Sequence, residues 1–218
     1  MFTGIVQTRL PVYAVDRKAD FATFTLQFPT ELAAGLKLGA SVALNGTCLT
    51  VRTMDNDLIS FDAIGQTLAV TNLGAVEQGT EVNIERAAKV GDEIGGHMIS
   101  GHVMAQVAVL ERIESANNLV LWFERPSELA PYLLDKGYVA LNGCSLTIAA
   151  VQEDRFSVHL IPETREVTTF GTSQPGDKIN LEVDPQTQAI VDTVTRVLAD
   201  PALLGELTAR LTATANNG

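Results

Sequence analysis

Displaced by 97 residues, this sequence lies on itself without a gap, and that register constrains the fold more than any other feature. Val42-Ala43-Leu44-Asn45-Gly46 returns as Val139-Ala140-Leu141-Asn142-Gly143. In the same register Gly4 meets Gly101, Thr67 meets Thr164, Thr71 meets Thr168, and Asn83-x-Glu85 meets Asn180-x-Glu182. Over the 85 positions from Met1 to Glu85 there are 27 identities. Solenoid repeats have periods of about 20–50 residues, so a unit this long is a whole domain. The sequence therefore predicts two copies of one small domain, over 1–97 and 98–184, and a tail over 185–218 that has no counterpart in the repeat. Whatever one copy binds, the other is built to bind as well.

The balance of charge narrows the partners. A net charge of −11 speaks against nucleic acid, which wants a basic face. There is no Lys/Arg cluster for a membrane surface, and no apolar run nears the roughly 18–20 residues that span a bilayer. Met1-Phe2-Thr3-Gly4-Ile5-Val6 lacks a basic segment and aligns with Met98-Ile99-Ser100-Gly101-His102-Val103, so it is expected to belong to the fold rather than to a signal peptide. The two cysteines, Cys48 and Cys144, do not align with each other: Cys48 faces Ser145 and Cys144 faces Thr47. A structural disulfide is not expected, and the cytoplasm is the expected compartment.

Short alternating runs dominate each copy. Phe24–Phe28, Leu49–Val51, Leu58–Phe61 and Val82–Ile84 alternate apolar with polar residues, as do Leu119–Phe123, Leu146–Ile148, Phe156–Leu160 and Ile179–Leu181. That is the pattern of strands with one buried face. Asp55-Asn56-Asp57 reads as a hairpin turn. Helical stretches are expected after each proline, over 30–36 and 127–134, and residues 86–97 as a glycine-containing link. Five or six short strands in about 90 residues predict a small closed barrel, a form that leaves no free edge. In the tail, Asp184 and Pro185 open a helix on which Ile190, Val191, Val194, Val197 and Leu198 share one face. Pro201 interrupts it, and Leu203, Leu204, Leu207 and Leu211 continue the apolar face. Either the barrels of the same chain or further copies of the tail could cover that stripe.

The strand from Asn45 to Val51 is the best candidate for chemistry. Side chains alternate along a strand, so Cys48 and Thr50 share a face, as do Ser145 and Thr147 in the second copy. Small thiol and hydroxyl groups can hydrogen-bond the edge of a heterocycle, with Gly46 and Gly143 suited to close backbone approach or a bulge. An ordinary outward polar face accounts for one copy equally well; its recurrence favours a site. Phe61-Asp62-Ala-Ile-Gly-Gln66-Thr67 and Val158-His159-Leu-Ile-Pro-Glu163-Thr164 form a second shared element, placed at a barrel mouth, with a helix cap as the alternative for Thr67 and Thr164. The copies also differ: Ile5 becomes His102, Asp62 becomes His159, and Gly39 becomes Lys136. Histidine is the side chain most easily used for proton transfer near neutral pH, and His102 would lie near the pocket if the copies superpose. No Cys-x-x-Cys, His-x-x-x-His or glycine-rich phosphate loop is present, so neither a metal nor a nucleotide phosphate is expected.

Together, Met1-Phe-Thr-Gly-Ile-Val6, Asn45-Gly-x-Cys-Leu-Thr-Val51, Ile94-Gly-Gly-His97-x-x-Ser100-Gly-His-Val103, Ser145-Leu-Thr147, His159-Leu-Ile-Pro-Glu-Thr164 and Asn180-x-Glu-x-Asp184 resemble the alpha chain of riboflavin synthase, from Met1 to about Leu198. The resemblance implies an all-β fold of two six-stranded barrels with a C-terminal helix that assembles a homotrimer. It implies a transferase that dismutates two molecules of 6,7-dimethyl-8-ribityllumazine. One gives a four-carbon unit to the other, yielding riboflavin and 5-amino-6-ribitylamino-2,4(1H,3H)-pyrimidinedione, with no cofactor. Association with lumazine synthase is a further partner to consider.

On the same resemblance, substrate-binding segments fall on Gly4, Ile5 and Val6; on Cys48, Leu49 and Thr50; and on Asp62, Ala63, Ile64, Gly65, Gln66 and Thr67. In the second copy they fall on Gly101, His102 and Val103, on Lys136, on Ser145, Leu146 and Thr147, and on His159, Leu160, Ile161, Pro162, Glu163 and Thr164. Residues linked to turnover fall on Phe2, Ser41, Cys48, His102, Thr147 and Asp184. Three positions depart from the family's common pattern: Thr47 where a cysteine is frequent, Asn142 where an acid is frequent, and Gln66 in place of a glutamate. The rival reading is a non-catalytic lumazine or flavin carrier, a class that tends to lose the Ser-Gly-His element and the C-terminal helix. This chain retains both.

Overall fold

The alternating runs are strands in the computed structural model, which describes residues 1–205. In the first copy β1 (Thr8–Lys18), β2 (Phe21–Gln27), β3 (Ser41–Leu44), β4 (Thr47–Asp55), β5 (Leu58–Ile64) and β6 (Glu81–Arg86) close in the order β1-β2-β5-β4-β3-β6. In the second, β7 (Ala105–Ser115), β8 (Asn118–Glu124), β9 (Tyr138–Leu141), β10 (Cys144–Val151), β11 (Arg155–Leu160) and β12 (Lys178–Val183) close in the equivalent order. Inward residues fill each barrel separately. Phe24, Leu26, Ile59 and Phe61 are fully buried in the first, and Leu121, Phe123, Phe156 and Val158 in the second. Each such side chain contributes about 1.5–3 kcal/mol by leaving water. The barrels have solid cores.

Four strands carry no alternating signal, for two reasons. β1 and β7 each contain a bulge, between Val12 and Ala14 and between Val109 and Glu111, which breaks the period of two. β3 and β9 are four residues long and bury three in succession, Val42-Ala43-Leu44 and Val139-Ala140-Leu141. The helices expected after the prolines are shorter than their sequences suggested. The first, α1, is Thr30–Ala33, stopped by Gly35 at φ +67°. The second is a three-residue 3-10 turn, Ala130–Tyr132, because Pro131 has no N–H to bond back along an α-helix. Short helices α2 (Gly65–Val70) and α3 (Pro162–Val167) follow β5 and β11. Thr67 and Thr164 sit inside them, not at their caps, and their carbonyls accept bonds from Thr71 and Thr168 at 2.7 and 2.5 Å. The C-terminal helix α4 spans Pro185–Ala199. Helix resumes at Pro201, where Asp200 Oδ1 accepts from the amides of Ala202 and Leu203 at 2.9 and 3.2 Å. Leu207 and Leu211 lie outside the described residues. Among the described residues no helix is long and apolar enough to cross a membrane.

Residues 1–184 form one compact unit, and the join between its barrels is made by the repeated Asn-Gly pairs. Asn45-Gly46 is a two-residue hairpin turn between β3 and β4, both residues having positive φ, rather than the start of the site strand. Asn142-Gly143 repeats it between β9 and β10. The turns touch back to back, so that a Cβ on Gly46 would stand 2.5 Å from Gly143 N. Around them the asparagines cross. Asn83 Nδ2 donates to Asn142 O at 3.0 Å, and Asn180 Nδ2 donates to Asn45 O at 2.8 Å. The amides of Asn83 and Asn180 donate to Asn45 and Asn142 Oδ1 at 2.8 and 2.9 Å. Asn142 is thus committed to this clasp, its Oδ1 accepting also from Asn72 Nδ2 at 3.0 Å. Phe2 and Ile99 complete the join with a reciprocal backbone pair at 2.9 and 3.0 Å, buried with Ala43 and Ala140.

Gly46→Ala adds a Cβ where φ is +76° and where Gly143 leaves no space, whereas Gly79→Ala, at φ +87°, meets nothing within 4 Å. The first substitution should cost about 2–5 kcal/mol and the second about 1–2 kcal/mol. Urea denaturation of the two variants checks this; equal losses would mean that the contact between turns carries no energy.

Candidate active site

β4 turns Leu49 and Val51 into the first barrel and Cys48, Thr50 and Arg52 away from it. The second shared element also faces outward, through Asp62 and Ile64 of β5 and Thr67 of α2. A pocket of about 390 Å³ opens between them, lined by Cys48, Leu49, Thr50, Arg52, Asp62, Ile64 and Thr67. It lies on the outer wall, not at a barrel mouth as the sequence suggested, because the interior is filled by phenylalanines. Cys48 is half-buried, while Cys144 is buried and its thiol is pushed up to about 12, chiefly by burial. Both thiols are free, and Cys144 is inert at neutral pH.

The opening segments cross between copies. Gly101 O accepts from Cys48 N at 2.9 Å, and Gly4 O accepts from Ser145 N at 2.8 Å. Simple superposition of the copies would give each strand the opening segment of its own repeat; the structure gives it the other's. His102 therefore belongs beside Cys48 of the first barrel, and Ile5, 47% exposed, beside Ser145 of the second. Val6 is buried in the core of the second barrel, not the first. The approach is so close that a Cβ on Gly101 would stand 2.6 Å from Cys48 Cβ, and one on Gly4 would stand 2.5 Å from Ser145 Cβ. Each segment is anchored by a buried glutamate. Glu85 accepts from Thr3 N, Thr3 Oγ1 and Gly4 N at 2.6, 2.7 and 3.1 Å; Glu182 accepts from Ser100 N, Ser100 Oγ and Gly101 N at 2.7, 2.7 and 3.0 Å. Burial pushes the Glu85 carboxyl up, opposed by the bonds from Thr3 and Gly4.

Around Ser145 the second copy assembles a different set of groups. His97 Nδ1 lies 2.6 Å from Ser145 Oγ, which also accepts from His97 N at 3.1 Å. The imidazole stacks on Tyr138 at 5.1 Å, and its Nε2 is buried without a hydrogen-bond partner. Burial lowers the proton affinity of His97, while the carboxylates of Asp184 and Glu182 act in the opposite direction. The last residues of the expected link are therefore part of the site: Gly96 packs so closely on Ser145 that a side chain there would clash. Lys136 takes φ +62°, a conformation that Gly39 fills in the first copy, and its Nζ donates to Ala149 O at 3.2 Å. A left-handed lysine is strained, and such strain gathers at functional positions. His159 Nδ1 lies 3.3 Å from Asn118 Nδ2.

The remaining residues singled out from sequence fall in three places. Leu49, Ala63, Leu146 and Leu160 point into the barrel cores and offer a ligand only backbone. Gly65 and Gln66 open α2, and Pro162 and Glu163 open α3, next to the exposed Ile64 and Ile161. Phe2 is fully buried between the barrels, Ser41 pairs with Thr50 across β3 and β4, and Thr147 pairs with Tyr138 across β9 and β10. Asp184 follows β12, and its charge raises the proton affinity of His97 against the effect of burial. Sequence reasoning missed His97, Tyr138 and Arg52 as site residues. The repeat could not flag them, since the counterpart of His97 would precede Met1, and the other two align with Ser41 and Ala149.

Comparison with known proteins agrees with this architecture. The lumazine binding domain matches twice, over residues 3–87 and 100–184. Riboflavin synthase of Escherichia coli (strain K12) is 50% identical over 200 residues, covering 91% of this chain and 94% of that protein. Riboflavin synthase of Chlamydia pneumoniae is 39% identical over 199 residues, covering 91% and 98%. Among solved structures, LumP complexed with 6,7-dimethyl-8-(1'-D-ribityl) lumazine superposes with a TM-score of 0.77 at 25% identity, covering 84% of this chain and 99% of that one. With two lumazine binding domains in tandem and this identity along most of its length, the chain belongs to the riboflavin synthase family.

Proposed function

We propose that this chain is a transferase that converts two molecules of 6,7-dimethyl-8-ribityllumazine into riboflavin and 5-amino-6-ribitylamino-2,4(1H,3H)-pyrimidinedione. The observation that carries this reading is the pair of strands on one backbone plan, each bonded to the other copy's opening segment and each with different proton-handling groups. The reaction needs two identical molecules held in fixed relation and made to behave differently. Orientation alone can contribute about 7–11 kcal/mol when both reactants are held in attack geometry. Beside Ser145, burial favours the neutral form of His97, able to take a proton by way of Ser145 from the ligand's 7-methyl group, and Asp184 and Glu182 favour the imidazolium that results. At the first pocket, Cys48 is suited to contact with the ring edge, and the segment bonded to it through Gly101 carries His102 as the candidate for proton transfer.

The same reading includes a trimer in which the first pocket of one subunit meets the second of a neighbour. Its support is the chemistry of α4, where Ile190, Val194 and Leu198 recur at helical spacing. Closed symmetric assembly is the usual way to cover such a stripe.

Incubation with 6,7-dimethyl-8-ribityllumazine alone should give riboflavin and the pyrimidinedione in equal amounts, followed by chromatography. A chain ending at Pro185 should be monomeric by light scattering and lose most of this activity. A full-length chain that binds the lumazine and yields neither product would be a carrier, not an enzyme.

His97 gives a prediction with a definite sign. Its proton affinity is lower in the folded state than the ordinary value of 6.5. The unfolded chain therefore binds a proton near pH 6.5 that the folded chain still refuses, so the contribution of His97 to stability is complete above 6.5 and is lost as the pH falls. Urea midpoints measured between about pH 8 and about pH 5 should fall more steeply for the wild type than for His97→Gln. In the same variant kcat should drop by about 10²-fold or more. Parallel pH profiles with unchanged kcat would leave His97 as a packing residue.

A further inference from the structure

We propose that Arg52, in partnership with Asp62, reads the hydroxyl groups of the ligand's polyol chain at the first pocket only, so that the two pockets demand different things of one compound. The proposal rests on the ligand class of the functional reading. Its starting point is a backbone feature that both copies share. The β4–β5 register shifts between Val51 and Thr53, leaving Arg52 bulged. The β10–β11 register shifts between Ile148 and Ala150, leaving Ala149 bulged. Bulges re-aim a side chain and gather beside functional sites. The repeat thus aims one position in each copy, and only the first copy fills it with a side chain that can bind.

What Arg52 meets there is equally specific to the first copy. Its Nε lies 3.2 Å from Asp62 Oδ2, and its Nη1 donates to Asp62 Oδ1 and Thr23 Oγ1, each at 3.2 Å. Thr23 Oγ1 donates to Asp62 Oδ1 at 2.7 Å. In the second copy these three residues are Ala149, His159 and Val120, so nothing of the group survives. At the equivalent place in the second copy the cation has another origin, Lys136, whose Nζ is bonded to the carbonyl of the bulged Ala149. That ammonium only donates, whereas the Arg52–Asp62 pair offers donors and acceptors side by side.

A vicinal diol asks for that combination, because each hydroxyl donates one bond and accepts others. The pair is reachable: the Arg52 and Asp62 side chains are 53% and 32% exposed and both line the pocket. The bonds described engage Nε and Nη1, which leaves donors of the guanidinium for a ligand. Spacing fits as well. Cys48 and Arg52 lie four residues apart on one strand face, about 13 Å by strand rise, which matches a two-ring heterocycle at Cys48 with a five-carbon chain running toward Arg52.

Fluorescence titration of wild type, Arg52→Ala and Arg52→Lys with 6,7-dimethyl-8-ribityllumazine and with 6,7,8-trimethyllumazine, which lacks the polyol, tests the idea. Arg52→Ala should weaken the ribityl compound at one of two sites by about tenfold, leave the other site unchanged, and bind the trimethyl compound as the wild type does. Arg52→Lys should recover only part of the loss, since a point charge cannot replace the planar fork. Equal weakening of both compounds would make the pair a mere strand support, and no weakening of either would remove Arg52 from recognition. A wild type that fails to bind the ribityl compound at all would overturn the functional reading itself, a result distinct from loss of selectivity in Arg52→Ala.

Discussion

The contact between the Asn45-Gly46 and Asn142-Gly143 turns sets how closely the two barrels approach, and the geometry of both pockets follows from it. Only glycine allows that approach at positive φ, and the crossed asparagines then satisfy the buried backbone groups that the contact leaves without water. Once the turns touch, the pair between Phe2 and Ile99 fixes where the opening segments run. Gly4 then falls on Ser145 and Gly101 on Cys48. Each candidate strand is thus bonded to a segment belonging to the other repeat.

That shared frame makes the differences between copies chemically meaningful. Ile5 against His102 and Arg52 against Ala149 each place a charge or a proton-bearing group in one pocket alone. Gly39 against Lys136 and Ser41 against Tyr138 do the same. Because the segments cross, the segment carrying His102 of the second copy is bonded to Cys48 of the first, and the segment carrying Ile5 of the first is bonded to Ser145, which His97 also contacts. Two molecules of one compound can then meet unlike surroundings without any difference in backbone plan, as a reaction between identical partners requires.

Much of the fold was legible in the repeat and in the alternation of β2 and β4, where inward and outward residues are separated, and in the apolar-polar spacing of β5 and β6, although both also bury polar residues. β1 was hidden by its bulge and β3 by its three successive buried residues, both departures from period two. Cys48 and Thr50 mark the candidate strand in the sequence, but Asn45-Gly46, which alternation includes in it, is a hairpin turn, for which the pair is a strong signal. Crossing could not be read at all, since self-alignment says which residues correspond and not which copy they touch. The same blindness hid His97, which has no counterpart, and Arg52, whose counterpart is an alanine. A method that looks for what two copies share overlooks what makes them differ.

The central claim is the crossed supply of opening segments, and amide chemical shifts read it most directly. In the ¹⁵N-labelled protein, Ile5→Ala should shift the amides of Ser145 and Thr147 and weaken the ligand response reported there, while Cys48 and Thr50 stay as in the wild type. His102→Gln should do the reverse. Shifts at Cys48 and Thr50 in Ile5→Ala, with Ser145 undisturbed, would mean that each opening segment serves its own barrel, and the account would fall.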